Sequence, residues 1–180
     1  YMADEEVAHA GKGRVAGLHA ARDAFYKGDI AALIAKYHRE NGGWVTMQDM
    51  AGYRVNFETP LVTSYAGVDL YTCGPWCQGP VLAQALNLVA GTDVRALGHN
   101  SPQYIHTLTE ALKLAFADRQ RYYGDPKFVD VPIDTLLSVK YTDARRKMID
   151  PRKAAPGMPP AGEIAGSKSP RQPLPRATQA

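Results

Sequence analysis

Ser101-Pro102-Gln103-Tyr104-Ile105-His106-Thr107-Leu108-Thr109-Glu110-Ala111-Leu112-Lys113-Leu114-Ala115-Phe116-Ala117-Asp118-Arg119 is the longest amphipathic stretch of the chain. Ser101 is a good N-cap, and Pro102 suits the first helical position, where no amide hydrogen is needed. Ile105, Leu108, Leu112, Ala115 and Phe116 recur at helical spacing and predict the buried stripe. Glu110, Lys113, Asp118 and Arg121 are placed on the opposite, polar face. Upstream, Pro80 opens a second helix that buries Val81, Leu82, Ala85, Leu86, Leu88 and Val89 and ends at Gly91. Downstream, Gly124-Asp125-Pro126 is a turn, and Ser138 caps a last helix from Val139 to Ile149.

Before Pro80 the period changes. Leu61 to Tyr65 and Val68 to Tyr71 are rich in β-branched and aromatic residues around Ala66-Gly67, which predicts a hairpin. The second strand runs into Cys73-Gly74-Pro75-Trp76-Cys77-Gln78-Gly79-Pro80, a loop by its Pro and Gly content. Nearer the start, Val15, Leu18, Ala21, Arg22 and Phe25 predict a helix with one mainly apolar face, stopped at Gly28. Asp29 is read as the cap of the next helix, through Ile30, Leu33, Ile34 and Tyr37, which ends at Gly42-Gly43. Thr46 caps a single turn.

Composition bounds the class. The chain has 180 residues, 45% hydrophobic and 22% charged, enough for a packed core. The net charge of +3 is dispersed, so nucleic-acid binding is not expected. No stretch has the ~20 apolar residues of a membrane span. Tyr1 to Glu6 are acidic and polar and do not read as a signal peptide; the compartment stays open. The histidines are scattered without metal-ligand spacing, so no metal and no cofactor is expected. Cys73 and Cys77 read as buried free thiols, since a bridge requires their Cα atoms to come within ~7 Å. Seven of the 13 prolines follow Asp150, and residues 151–180 read as a mobile Pro/Gly-rich tail after a folded part at 1–150.

Several segments, in order, resemble the γ-glutamyltransferase family. Phe25-Tyr26-Lys27-Gly28-Asp29-Ile30-Ala31 is similar to its "FYxGxIA". Gly42-Gly43, Thr46, Asp49 and Tyr53 follow "GGxxTxxDxxxY". Gln84, Leu86 and Asn87 follow "QxLN". Ser101, His106, Glu110 and the run from Ala115 to Arg119 follow "S…H…EAxKxAFADR", and Gly124 to Val129 follow "GDPxFV". The resemblance implies an α+β fold: the C-terminal part of the large subunit of a four-layer αββα N-terminal-nucleophile hydrolase, completed by a small subunit outside this chain. It implies a precursor that cuts itself before a Thr, with Ala180 or a residue soon after it preceding the scissile bond. Thr178 lacks the family's "T-x-H" context and is not the nucleophile. The catalytic group then arrives on the partner chain, none lies in this chain, and the substrate is a small-molecule amide such as a γ-glutamyl compound.

The family loop close to "PPPSSGG" or "PPPSQG" is altered here to Pro75-Trp76-Cys77-Gln78-Gly79. Trp76 and Cys77 replace small or proline residues, which reads as a reshaped pocket wall or as repacked core. The variant function is hydrolysis of a non-γ-glutamyl amide; the alternative outside enzymes is a non-catalytic binding module. His106 is expected to make a structural hydrogen bond. Asp118 and Arg119 are expected to form charge pairs or caps. Tyr104, Tyr122 and Tyr123 are expected to pack, with a cleft-lining role as the alternative.

Overall fold

The computed structural model describes residues 1–167, which form two compact units, one ending at Phe57 and one beginning at Glu58. The boundary falls inside the 1–150 stretch that the sequence presents as one piece. The class is α+β.

The first unit is helical. Helix α1 (Met2–His9) leads through a 3₁₀ turn into α2 (Arg14–Tyr26), followed by α3 (Asp29–Glu40) and α4 (Met47–Gly52). The polar opening residues are thus helical, with Asp4 and Glu5 in the first turn of α1, where negative charge suits the helix dipole. The N-cap of α3 is Gly28, not Asp29; Asp29 is the first helical residue and accepts from the Tyr1 hydroxyl. Thr46 caps α4 as expected, with a reciprocal bond from its own amide to Asp49. The apolar face read on α2 is not buried: Val15 is 66% and Leu18 44% exposed, and the buried positions are Gly17 and Ala24.

The second unit begins with strands β1 (Leu61–Tyr65) and β2 (Val68–Thr72), paired antiparallel from Leu61 opposite Thr72 to Tyr65 opposite Val68. Ala66 and Gly67 both take positive φ, the backbone of a two-residue hairpin turn whose twist suits the strands. Helices α5 (Gly79–Val89), α6 (Pro102–Tyr122), α7 (Ile133–Leu136) and α8 (Val139–Arg146) follow. Ser101 and Ser138 cap α6 and α8 by accepting from the amides of Tyr104 and Tyr141. The core joins Val81, Ala85, Leu88 and Val89 of α5 to Ala111, Leu114 and Ala115 of α6.

The buried stripe of α6 is rotated from the one the apolar residues predict. It runs through Glu110, Ala111, Leu114, Ala115, Asp118 and Tyr122, while Ile105 and Leu112 are exposed. Two residues assigned to the polar face are therefore inside. Small residues let α5 approach closely, and the carboxylates meet partners there.

The segment after Asp150 also departs from expectation over its described part. Residues 151–167 have no helix or strand, yet they are pinned along α6. Ala155 donates its amide to Glu110 and accepts from Lys113. Gly162 donates to Asp118 and accepts from Tyr122, and Glu163 pairs with Arg121. Thr178 and Ala180 lie outside the described residues.

Candidate functional site

The turn between β2 and α5 is where the sequence is most distinctive. The Cys77 amide donates to the Gly74 carbonyl at 3.2 Å, closing a four-residue turn. Cys73 and Cys77 flank it as a disulfide, with Cα atoms 6.7 Å apart. The expectation of two free thiols is corrected: the turn brings the residues within bridging distance. Glu58 clamps the same turn, accepting from the Gly74 amide at 3.2 Å and from the Trp76 indole at 2.9 and 3.0 Å. Trp76 itself remains 57% exposed.

The five loop residues named from sequence divide in two. Pro75, Trp76 and Cys77 line a recess of about 200 Å³. Gln78 and Gly79 instead begin α5, Gln78 as its N-cap. Gly79 is confined: a Cβ there would stand 2.3 Å from the Cys73 carbonyl oxygen and 2.8 Å from the Thr72 side chain. The opposite wall of the recess comes from the end of α6, with Arg119, Gln120 and Tyr123. The Arg119 guanidinium lies 5.9 Å from the centre of the Phe116 ring, and no carboxylate stands within ion-pair distance of it among the described residues. The side-chain oxygen of Gln120 is buried without a hydrogen-bond partner.

Behind the recess lies a buried polar network. The Tyr123 hydroxyl donates to Gln84 at 2.6 Å, and the Gln84 amide donates to Asp118 at 2.9 Å. Asp118 also accepts from the Gly162 amide at 2.8 Å and pairs with Arg145 at 3.1 Å, their side chains 1% and 5% exposed. Burial pushes the Asp118 carboxyl up, against the opposing pull of Arg145 and the two amide donors. Burial, with the Asp118 charge second, raises both Tyr123 and Tyr141, so these phenols stay neutral. The network ties α5, α6, α8 and the Gly162 segment together, which is a scaffold's work.

Asp118 does form the charge pair expected of it; Arg119 does not. His106 makes its structural bond, Nε2 to the Asp150 carbonyl at 2.8 Å, which requires a proton on Nε2. Tyr122 is buried, Tyr104 packs edge-on against His99, and Tyr123 takes the cleft-lining alternative. Sequence reasoning missed the Gln84–Asp118–Arg145 network and the recess role of Arg119 and Gln120. One signal was available: Gln84 and Asp118 both belong to the segments that carry the resemblance. Among the described residues, no His, Cys, Asp and Glu cluster is placed to hold a metal, and no helix is long and apolar enough to cross a membrane. Nothing in the recess pairs a nucleophile with a general base, since the Cys77 sulfur is bonded to Cys73.

A family model described as gamma-glutamyltranspeptidase matches residues 6–177. The chain is 38% identical over 133 residues to the acylase ACY 1 proenzyme of Pseudomonas sp. (strain SE83), covering 73% of this chain and 24% of that protein. It is equally 38% identical, over 135 residues, to the glutathione hydrolase proenzyme of Escherichia coli (strain K12), covering 74% and 23%. The chain thus spans about a quarter of the length of these relatives. The crystal structure of Helicobacter pylori gamma-glutamyltranspeptidase superposes with a TM-score of 0.72 at 34% identity, covering 84% of this chain and 45% of that one. That of cephalosporin acylase from Bacillus halodurans gives 0.64 at 32%, covering 79% and 26%.

Proposed function

Because the chain belongs to the gamma-glutamyltranspeptidase family, we propose that it is the large-subunit segment of a self-processing amidohydrolase or acyltransferase that hydrolyses or transfers γ-glutamyl amides. The observation that carries this reading is the unbroken family match through residues 6–177, joined to the 38% identity with a glutathione hydrolase proenzyme. In this reading a second chain from the same precursor completes a four-layer αββα sandwich. It begins with the Thr exposed by autocleavage, at or soon after Ala180.

That Thr supplies both nucleophile and base. An α-amine with a pKa of about 7.7–8.0 is substantially neutral near neutral pH and takes the hydroxyl proton as the oxygen attacks the amide carbonyl. Oriented donors stabilise the developing oxyanion, and water or an amine then removes the acyl group. The present chain contributes the frame: α5, α6 and α8, locked by the Asp118 network, hold the Trp76 turn in place.

The test is turnover of γ-glutamyl-p-nitroanilide by the processed two-chain protein, with the partner's N-terminus sequenced. Turnover with Thr first supports the reading; a first residue other than Thr, Ser or Cys removes it. Trp76 favours a second reading, an acylase for a bulkier non-γ-glutamyl amide, because a half-exposed indole walls the recess where the family has small residues. Complete self-cleavage without γ-glutamyl turnover favours that one.

A further inference from the structure

At the recess between the cross-linked turn and the end of α6, two features meet that the amide chemistry does not use. The first is sulfur: Cys77, and not Cys73, lines the cavity, and the disulfide is only half-buried. The second is charge: the Arg119 guanidinium in the same wall has no carboxylate partner among the described residues. Both residues line the same space of about 200 Å³. A half-exposed disulfide is open to exchange with a small thiol. An unpaired guanidinium selects a carboxylate.

We propose that the Cys73–Cys77 disulfide is a thiol-exchange site: a small thiol carrying a carboxylate is captured on Cys77, with the carboxylate on Arg119. The incoming thiolate attacks the Cys77 sulfur and forms a new S–S bond as the Cys73–Cys77 bond breaks. Cys73 leaves as a thiolate and takes a proton from solvent. One disulfide is consumed and one is formed, so no external oxidant or reductant enters. Return attack by Cys73 reverses the step. Removing Cys73 therefore leaves a Cys77 thiol that takes the same adduct from a symmetric disulfide.

The experiment uses the intact protein that contains this chain. Non-reducing peptide mapping of the wild type is expected to find the Cys73–Cys77 link. The Cys73→Ser variant is then treated with cystine and with cystamine (no carboxylate), and adduct formation is followed by peptide mass. Cystine is expected to load Cys77 roughly threefold to fivefold faster than cystamine, the scale of one partly exposed ion pair. Arg119→Gln is expected to abolish that advantage. A second arm needs no cysteine variant: wild-type thiol release is timed with cysteine and with cysteamine at equal thiolate concentration, and cysteine is expected to be faster. Free thiols in the wild type, equal rates for the two disulfides, or rates indifferent to Arg119 overturn the proposal. The readout is mass and thiol release, not amide turnover, so its failure is distinct from failure of the function proposed above.

Discussion

Gly79 and Asp118 show how single positions fix the neighbourhood of the recess. A methyl group at Gly79 would meet backbone at Cys73, which cannot yield as a flexible side chain would. Gly79→Ala is therefore expected to destabilise the protein by about 1–3 kcal/mol, the usual cost of overpacking, read as a lowered denaturation midpoint. An unchanged midpoint would show that β2 and α5 are not packed as described. Asp118→Asn keeps the side-chain shape but strands the Arg145 charge among buried groups; a loss of about 3–5 kcal/mol is expected in denaturant titration. The sequence indicates nothing of the role of Gly79, and for Asp118 it indicates a charge pair but neither the burial nor the partner. A glycine in a loop reads as flexibility, and its constraint is a contact with Cys73, six positions back. A charged residue near a helix end reads as solvent-facing, because the residue that neutralises it, Arg145, lies 27 positions further on.

Helix α6 explains why elements were easier to read than their orientation. Its start was legible, since Ser101 and Pro102 are local signals acting within one turn. Its buried face was not, since hydrophobicity alone favours Ile105 and Leu112 over the Glu110–Asp118 line. The same limit applies after Asp150, where composition suggests an unpacked chain. Proline does exclude helix there, but carbonyls and amides still bond, and Glu110 takes the Ala155 amide at 3.2 Å. Burial pushes the Glu110 carboxyl up, but Lys113 at 2.6 Å and the Ala155 amide outweigh it and leave the group below its ordinary value of 4.5. The sign follows: a lowered carboxyl stabilises the folded state above about that ordinary value and loses its contribution as pH falls through the native one. Acidification below pH 4.5 is thus expected to lower the exchange protection factor of the Ala155 amide before those of the core amides of α5. Glu110→Gln should show fast exchange there already at neutral pH. Simultaneous loss of both regions, or protection indifferent to Glu110, would contradict the pinning.

For the molecule as a whole, the most telling feature is what the described residues leave uncovered. Leu18 on α2, Leu33 and Tyr37 on α3, Leu82 on α5, and Ile105 and Leu112 on α6 are all exposed. They continue the amphipathic patterns that the sequence presents as buried faces. Isolated apolar residues on a surface are ordinary, but several on helices whose pattern calls for burial mark surface that something else covers. The chain spans only 24% and 23% of two proenzyme relatives, so most of such a protein is available to cover it. Local propensity and capping set these helices without the rest of the protein; the fit of their outer faces depends on it. Residues 1–180 produced alone are therefore expected to bind an anilinonaphthalene dye and to self-associate in light scattering. The full precursor at equal concentration is expected to do neither. Two substitutions on exposed apolar positions, Leu33→Glu and Ile105→Glu, should improve the isolated chain and impair folding or self-processing of the precursor. An isolated chain that is monomeric and silent to the dye would mean that these faces need no cover, and the two-chain reading would lose its physical support.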